Sequence, residues 1–243
     1  MAISNGPNLG IMINGLQGEA HYSQFMAFLR GMDFFGMPRV TGYLTNTPPG
    51  SPTNGESHII GAAPTGTWAG QGGKIARYNG TGSAWEFFTP QEGWMIQRGS
   101  AGVREIYRYT SAAWEIFYGE GTWTPALKFG GLSVGMTTSV AQGRYTKIGR
   151  LWELTARIVL SAKGTSAGSA AIYGAPATPA EGMAYTIGYY GNFSAGLVPT
   201  AYQNSADANI YIGKAGGTSL VAASDTDFTN GSSLIISGTM QQS

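Results

Sequence analysis

The chain has 243 residues, 14 Lys/Arg against 13 Asp/Glu, and no cysteine. Seven basic and seven acidic residues precede Gly119, and seven and six follow, so no basic face marks a nucleic-acid partner. Thiolate chemistry, disulfides and Cys-based zinc sites are excluded outright.

Glycine supplies 38 residues and charged groups only 11%, yet 42% of the chain is hydrophobic and 12% aromatic. That is enough apolar matter to bury, and the glycine excess suits many tight turns where a Cβ would clash. The expected fold class is mainly β. No apolar run is long enough for a membrane helix, so no membrane insertion is expected. The N-terminus lacks a basic segment followed by a long apolar core, so no signal peptide is expected; the absence of Cys suits folding in a reducing cytoplasm.

Residues 1–38 read as an N-terminal attachment segment that ends in the one helix candidate, Ala20 to Phe35. Tyr22, Phe25, Leu29 and Met32 fall on one stripe of that helix, and Gly36 and Pro38 stop it. Two uses fit: packing on its own β-domain, or a short three-stranded coiled seam along a trimer axis. His21 would be tripled on such an axis, but a single surface histidine is the expectation, with no metal and no cofactor.

Residues 39–118 read as a small β-hairpin module. Short strands at Arg39–Leu44 and Glu56–Ile60 flank a turn-dense stretch holding Pro48, Pro49, Gly50, Pro52 and Asn54-Gly55. An internal repeat follows. Ile75-Ala-Arg-Tyr78 with Trp85-Glu-Phe-Phe88, and Ile106-Tyr-Arg-Tyr109 with Trp114-Glu-Ile-Phe117, each read as a hairpin. Gly93 to Gln97 is a connecting strand between them.

Residues 119–243 read as a C-terminal β-sandwich or jelly-roll-like domain. Gly121 to Gly149 looks like short apolar pieces and glycine turns, with Trp123, Phe129 and Tyr145 packing inward. Leu151 to Ser161 is the clearest strand: Trp152, Leu154, Ala156, Ile158 and Leu160 line one apolar face. On its other face Glu153 and Arg157 could pair with each other, pair across a subunit boundary, or simply be solvated. Further strands fit Ala170–Tyr173, Met183–Tyr190, Leu197–Tyr202, Ala208–Ile212, Ser219–Ala222 and Ser233–Met240. Turn signals, including Asn230-Gly231, separate them.

Catalytic patterns are thin. A serine nucleophile needs a base, and the only histidines, His21 and His58, lie in the N-terminal half with no Gly-x-Ser-x-Gly elbow. Glycoside hydrolysis needs two placed carboxyls. Asp225 and Asp227 stand at i, i+2, but in a Ser/Thr/Asn-rich turn where carboxylates usually cap backbone N–H groups. No enzymatic activity is expected. What remains is recognition by aromatic faces and side-chain amides, and Tyr185 to Tyr211 is the richest stretch for it. The candidate recognition residues are Tyr189, Tyr190, Asn192 and Phe193 in one stretch, and Tyr202, Gln203, Asn204 and Asp207 in another.

Two resemblances add context. Gly61 to Phe117, with Pro48 to Pro52, the Gly66-Thr-Trp-Ala-Gly70 step, Trp85, Thr89 to Trp94 and an Asn8-Leu-Gly edge, resembles a small phage tail domain of unknown function. Gly121-Thr-Trp-Thr-Pro, Gly143-Arg-Tyr-Thr-Lys-Ile-Gly149 and the closing stretch from Asp225 resemble the C-terminal domain of bacteriophage tail fibres. The second resemblance implies a homotrimer, intertwined or side by side, whose distal knob recognises the host. It further implies a virion tail location, attachment to a tail or baseplate protein at the N-terminal end, and a bacterial surface polysaccharide as partner; a depolymerase of that polysaccharide and a structural tail or baseplate adaptor are the alternative readings.

Overall fold

The computed structural model describes residues 4–5, 12–13, 39–100, 103–194, 198–216 and 219–242. The chain is mainly β and divides into two compact units, Met1–Tyr118 and Gly119–Ser243. The expected helix Ala20–Phe35, with Tyr22, Phe25, Leu29 and Met32, lies outside the described residues, as does His21.

In the first unit, β1 (Ser4–Asn5) and β2 (Met12–Ile13) form an antiparallel pair. After β3 (Arg39–Val40), the strands β4 (Gly42–Thr45), β5 (Ser57–Ile60), β6 (Ile75–Asn79) and β7 (Ala84–Phe88) make a four-stranded sheet in chain order. The β6–β7 hairpin is the first Trp repeat, with Tyr78 opposite Trp85. β8 (Met95–Ser100) pairs antiparallel with β9 (Val103–Thr110) and parallel with β3. β10 (Ala113–Trp123) lies beside β9 and completes the second Trp repeat with Trp114–Phe117, then carries the chain into the second unit.

Aromatic side chains make this first core. Trp68, from a single 3₁₀ turn, is fully buried and meets Trp85 edge-on at 4.9 Å. Tyr107 is buried under Tyr43, whose ring stacks on it at 4.0 Å. Trp114 is buried with its indole N–H donating to the Gly73 carbonyl (3.2 Å), so its polar edge is satisfied.

The second unit is a sandwich of two antiparallel sheets. Its strands are β11 (Ala126–Phe129), β12 (Thr137–Ile148), β13 (Leu151–Ala162), β14 (Ala170–Tyr173), β15 (Met183–Phe193), β16 (Pro199–Gln203), β17 (Ile210–Gly216), β18 (Ser219–Ala222) and β19 (Phe228–Gln241). One sheet runs β12-β13-β19-β15, and the other β11-β14-β17-β16-β15, with β18 beside β17. β15 belongs to both: Met183–Tyr185 pair with β16, and Thr186 onward pairs with β19. Trp152, Leu154, Ala156, Ile158 and Leu160 point inward from β13, as their alternation requires, and meet Leu127, Phe129, Ile172, Ile210 and Ile212 from the other sheet.

Two sequence expectations are corrected here. Gly121–Gly149 is not only short pieces and turns, because β12 runs twelve residues through it and pairs with β13 along nearly its whole length. Its alternation is faint because the inward position at Gly143 is filled from elsewhere. The Trp123 indole occupies the space a Cβ would need, which would sit 2.3 Å from the indole nitrogen. Trp123 also donates to the Thr155 carbonyl at 3.2 Å. Second, Asn230-Gly231 does not separate two strands. It is a loop-out within β19, opposite Asn192, whose carbonyl accepts from the hydroxyls of Thr229 and Ser232 at 2.6 Å each.

Candidate functional site

The outer face of the β11-β14-β17-β16 sheet is aromatic. Ile210 and Ile212 take the inward positions of β17, so Tyr211 points out; Ala201 and Gln203 do the same on β16, so Tyr202 points out. Tyr202 and Tyr211 are directly opposed in the ladder, and their rings stack with centroids 5.6 Å apart and planes 26° apart. Tyr173 of β14 lies diagonal to Tyr211, since its neighbour Ala171 is the residue opposite Tyr211. Lys128 of β11 places its ammonium 4.5 Å from the Tyr173 ring centre. All three tyrosines are half-buried, so part of each remains accessible on the strands that carry it.

The loop after β16 frames this platform. Asp207 accepts from the Tyr211 hydroxyl at 2.7 Å and from the Asn209 backbone N–H at 2.9 Å. These bonds hold its carboxyl below the ordinary aspartate range, and the same contact raises the Tyr211 phenol. The loop is anchored from beneath. Gln203 is fully buried; its amide donates to the carbonyls of Asp207 (2.6 Å) and Ala177 (3.3 Å), and its carbonyl accepts from Tyr185 (2.5 Å). Ser205 donates to the Ala180 carbonyl at 2.7 Å, and Ala206 N–H to the Pro179 carbonyl at 2.9 Å. The Tyr185 phenol is pushed up to about 12 by burial, so it stays a donor throughout the physiological range.

The eight sequence-selected residues therefore divide. Tyr202, Asn204 and Asp207 are gathered at the platform, with Asn204 exposed. Gln203 is not a contact residue, because no part of it reaches water; it positions the loop. Tyr189 and Tyr190 are both exposed but lie on opposite faces of the other sheet. Tyr189 stands opposite the exposed Ile235, and Tyr190 opposite the buried Leu234. Phe193 turns inward onto Phe228, 4.7 Å between ring centres. Asn192, at φ 58°, spends its amide on the Gly231 carbonyl at 3.0 Å. Residues 189–193 thus do not form one surface. A bulge between Ile187 and Tyr189 shifts the alternation there.

Lys128 and Tyr173 were missed because they stand far upstream of the aromatic stretch. The available signal was parity: Leu127 and Phe129 inward make Lys128 outward, and Ile172 inward makes Tyr173 outward.

The carboxylates of the terminal turn serve structure. Asp225 accepts from Gly168 N–H (2.9 Å) and Lys163 (3.2 Å). Asp227 accepts from Lys214 through both oxygens (2.8 Å each) and from Ser224 N–H (2.8 Å). Among the described residues, no three His, Asp or Glu side chains gather as a metal site.

No curated protein matches the chain. Among solved structures, it is similar to the crystal structure of the Dettilon tailspike protein (gp208), at 19% identity and a TM-score of 0.43. The likeness covers 51% of this chain and 24% of that one, so it spans about a quarter of the tailspike's length. Residues 27–115, within the first unit, match the family model described as a protein of unknown function (DUF2793).

Proposed function

We propose that the protein is a bacteriophage tail fibre protein that adheres to a bacterial surface polysaccharide through residues 119–243, without cutting it. The observation that carries this reading is the tyrosine platform. Tyr173, Tyr211 and Tyr202 offer their accessible ring surface to sugar C–H groups, and Asp207, Asn204 and the Lys128 ammonium over Tyr173 offer polar atoms to hydroxyls. The loop is braced before any ligand arrives, so little order is lost on binding. The tail-fibre resemblance of Gly121–Gly149 and of the stretch from Asp225 supports the same reading.

The working form is a homotrimer in the virion tail, attached by its N-terminal end. Support comes from the outer face of the β12-β13-β19-β15 sheet. Arg144, Glu153 and Arg157 are exposed there with no ion-pair partner among the described residues. Tyr189 (55% exposed) and Ile235 (39%) lie beside them. A face that mixes bare apolar groups with unpaired charges of both signs suits a second copy of itself. Three copies would present three platforms, and multivalency would multiply weak sites into firm adhesion.

Labelling of host cells with the fluorescent full chain tests the adhesive role. Cells should stain, and the Tyr202→Ala/Tyr211→Ala double variant should not stain them. Incubation with purified capsule should release no reducing ends; their appearance would instead make the protein a depolymerase.

A further inference from the structure

The strand that joins the two sheets of the second unit leaves a cleft. β15 pairs with β19 only from Thr186, opposite Ser237, while β19 continues to Gln241 beside β13. Where β15 departs toward β16, a cavity of about 580 Å³ opens, lined by Arg150, Leu151, Glu181, Met183, Thr239 and Gln241 among others. That size falls within the roughly 300–1,000 Å³ of small-ligand sites.

Its walls are tied down. Arg150 donates its Nε to the Gln242 carbonyl (2.9 Å), and its own carbonyl accepts from Gln242 N–H (2.8 Å). The Gln242 side chain is in turn held by Trp152 Nε1 (3.0 Å) and Lys147 (3.2 Å). On the far side Ala180 N–H donates to the Gln241 carbonyl at 2.8 Å. Arg150 is thereby fixed through one nitrogen, while its two terminal nitrogens find no acceptor among the described residues. The Glu181 carboxylate, exposed on the same cleft, has no partner among them either, and the two do not form an ion pair with each other.

We propose that this cleft is a subsite for a carboxylate-bearing sugar, a hexuronic acid unit. This rests on the polysaccharide-binding reading above and names the class of sugar. A guanidinium with two free parallel N–H groups matches a carboxylate in bidentate fashion. A hexuronic acid also carries vicinal hydroxyls, which Glu181 accepts, and an apolar C–H side, which Leu151 and Met183 cover. A neutral hexose satisfies only Glu181, and leaves the guanidinium without its anion.

The test uses the full chain with ¹³C-methyl-labelled methionine and the Met183 methyl as reporter. Methyl glucuronide should shift that signal saturably at millimolar concentration, as expected of a small ligand with few contacts. Methyl glucoside should bind about tenfold more weakly, the usual loss when a charged hydrogen-bonding group goes unmatched. Arg150→Gln should abolish the difference, and Glu181→Gln should weaken both sugars. Arg150→Lys keeps the charge and removes the fork; it decides the matter if Arg150→Gln fails to fold, and should lose most of the preference. An unmoved Met183 signal, equal affinity for the two sugars, or undiminished preference in Arg150→Lys overturns the proposal. Free monosaccharide decides this whether or not cells are labelled, so its outcome is separable from that of the adhesion test.

Discussion

Gln203 places three hydrogen bonds where no water reaches, and the loop carrying Asp207 depends on it. Gln203→Ala should cost about 2–4 kcal/mol, since truncation strands the Tyr185 hydroxyl and two carbonyls. Thermal unfolding measures it, and polysaccharide binding should weaken with it. Tyr211→Phe keeps the ring and loses only the bond to Asp207, so binding should fall much less than in Tyr211→Ala. Titration follows from the same contacts. The Tyr185 phenol is raised to about 12 in the folded chain, so the stability it contributes is full below the unfolded value of about 10 and is lost as pH rises through 12. For Asp227, burial alone would raise the carboxyl, but Lys214 and the Ser224 N–H outweigh it and hold it below its ordinary range. Its contribution is full above the ordinary aspartate value and is lost as pH falls below it. Denaturant midpoints across pH should therefore drop at both ends, and Asp227→Asn should flatten the acid side.

Strands that alternate cleanly are legible from sequence. In Leu151–Ala162 one face is wholly apolar, Trp152, Leu154, Ala156, Ile158 and Leu160, and the structure buries just those five. β12 was not legible, because Gly143 is covered by a tryptophan twenty residues upstream rather than by its own side chain. The division of β15 between two sheets was equally hidden: it depends on which partner each half finds. Of the tyrosine platform, Tyr202 and Asp207 could be chosen by residue type, while Lys128 and Tyr173 required the β11-β14-β17 order. The Thr110–Ala113 turn shows another limit. Ser111 and Ala112 both have positive φ (50° and 61°), a conformation that favours Asn-Gly, so nothing in the dipeptide announces it. Replacing Ser111-Ala112 by Asn-Gly should raise stability by about 1 kcal/mol, read as a higher thermal midpoint with unchanged binding.

Across the whole molecule, the tyrosine platform and the proposed self-association face lie on different sheets of one sandwich, and the cleft beside Arg150 opens at the Leu151–Gln241 end of the second of these sheets. The β11-β14-β17-β16 sheet carries the tyrosines, and the β12-β13-β19-β15 sheet carries the unpaired charges and bare apolar groups. Static light scattering should give three chain masses, and Arg157→Glu should reduce it by setting like charges on the shared face; a single chain mass for the unaltered protein would remove the trimer. The adhesive claim is tested most directly by biolayer interferometry of the full chain against a panel of immobilised bacterial polysaccharides. Saturable binding to at least one is expected, reduced at least tenfold (about 1.4 kcal/mol) by Tyr202→Ala/Tyr211→Ala. Binding to none of them, or equal binding by the double variant, would contradict it.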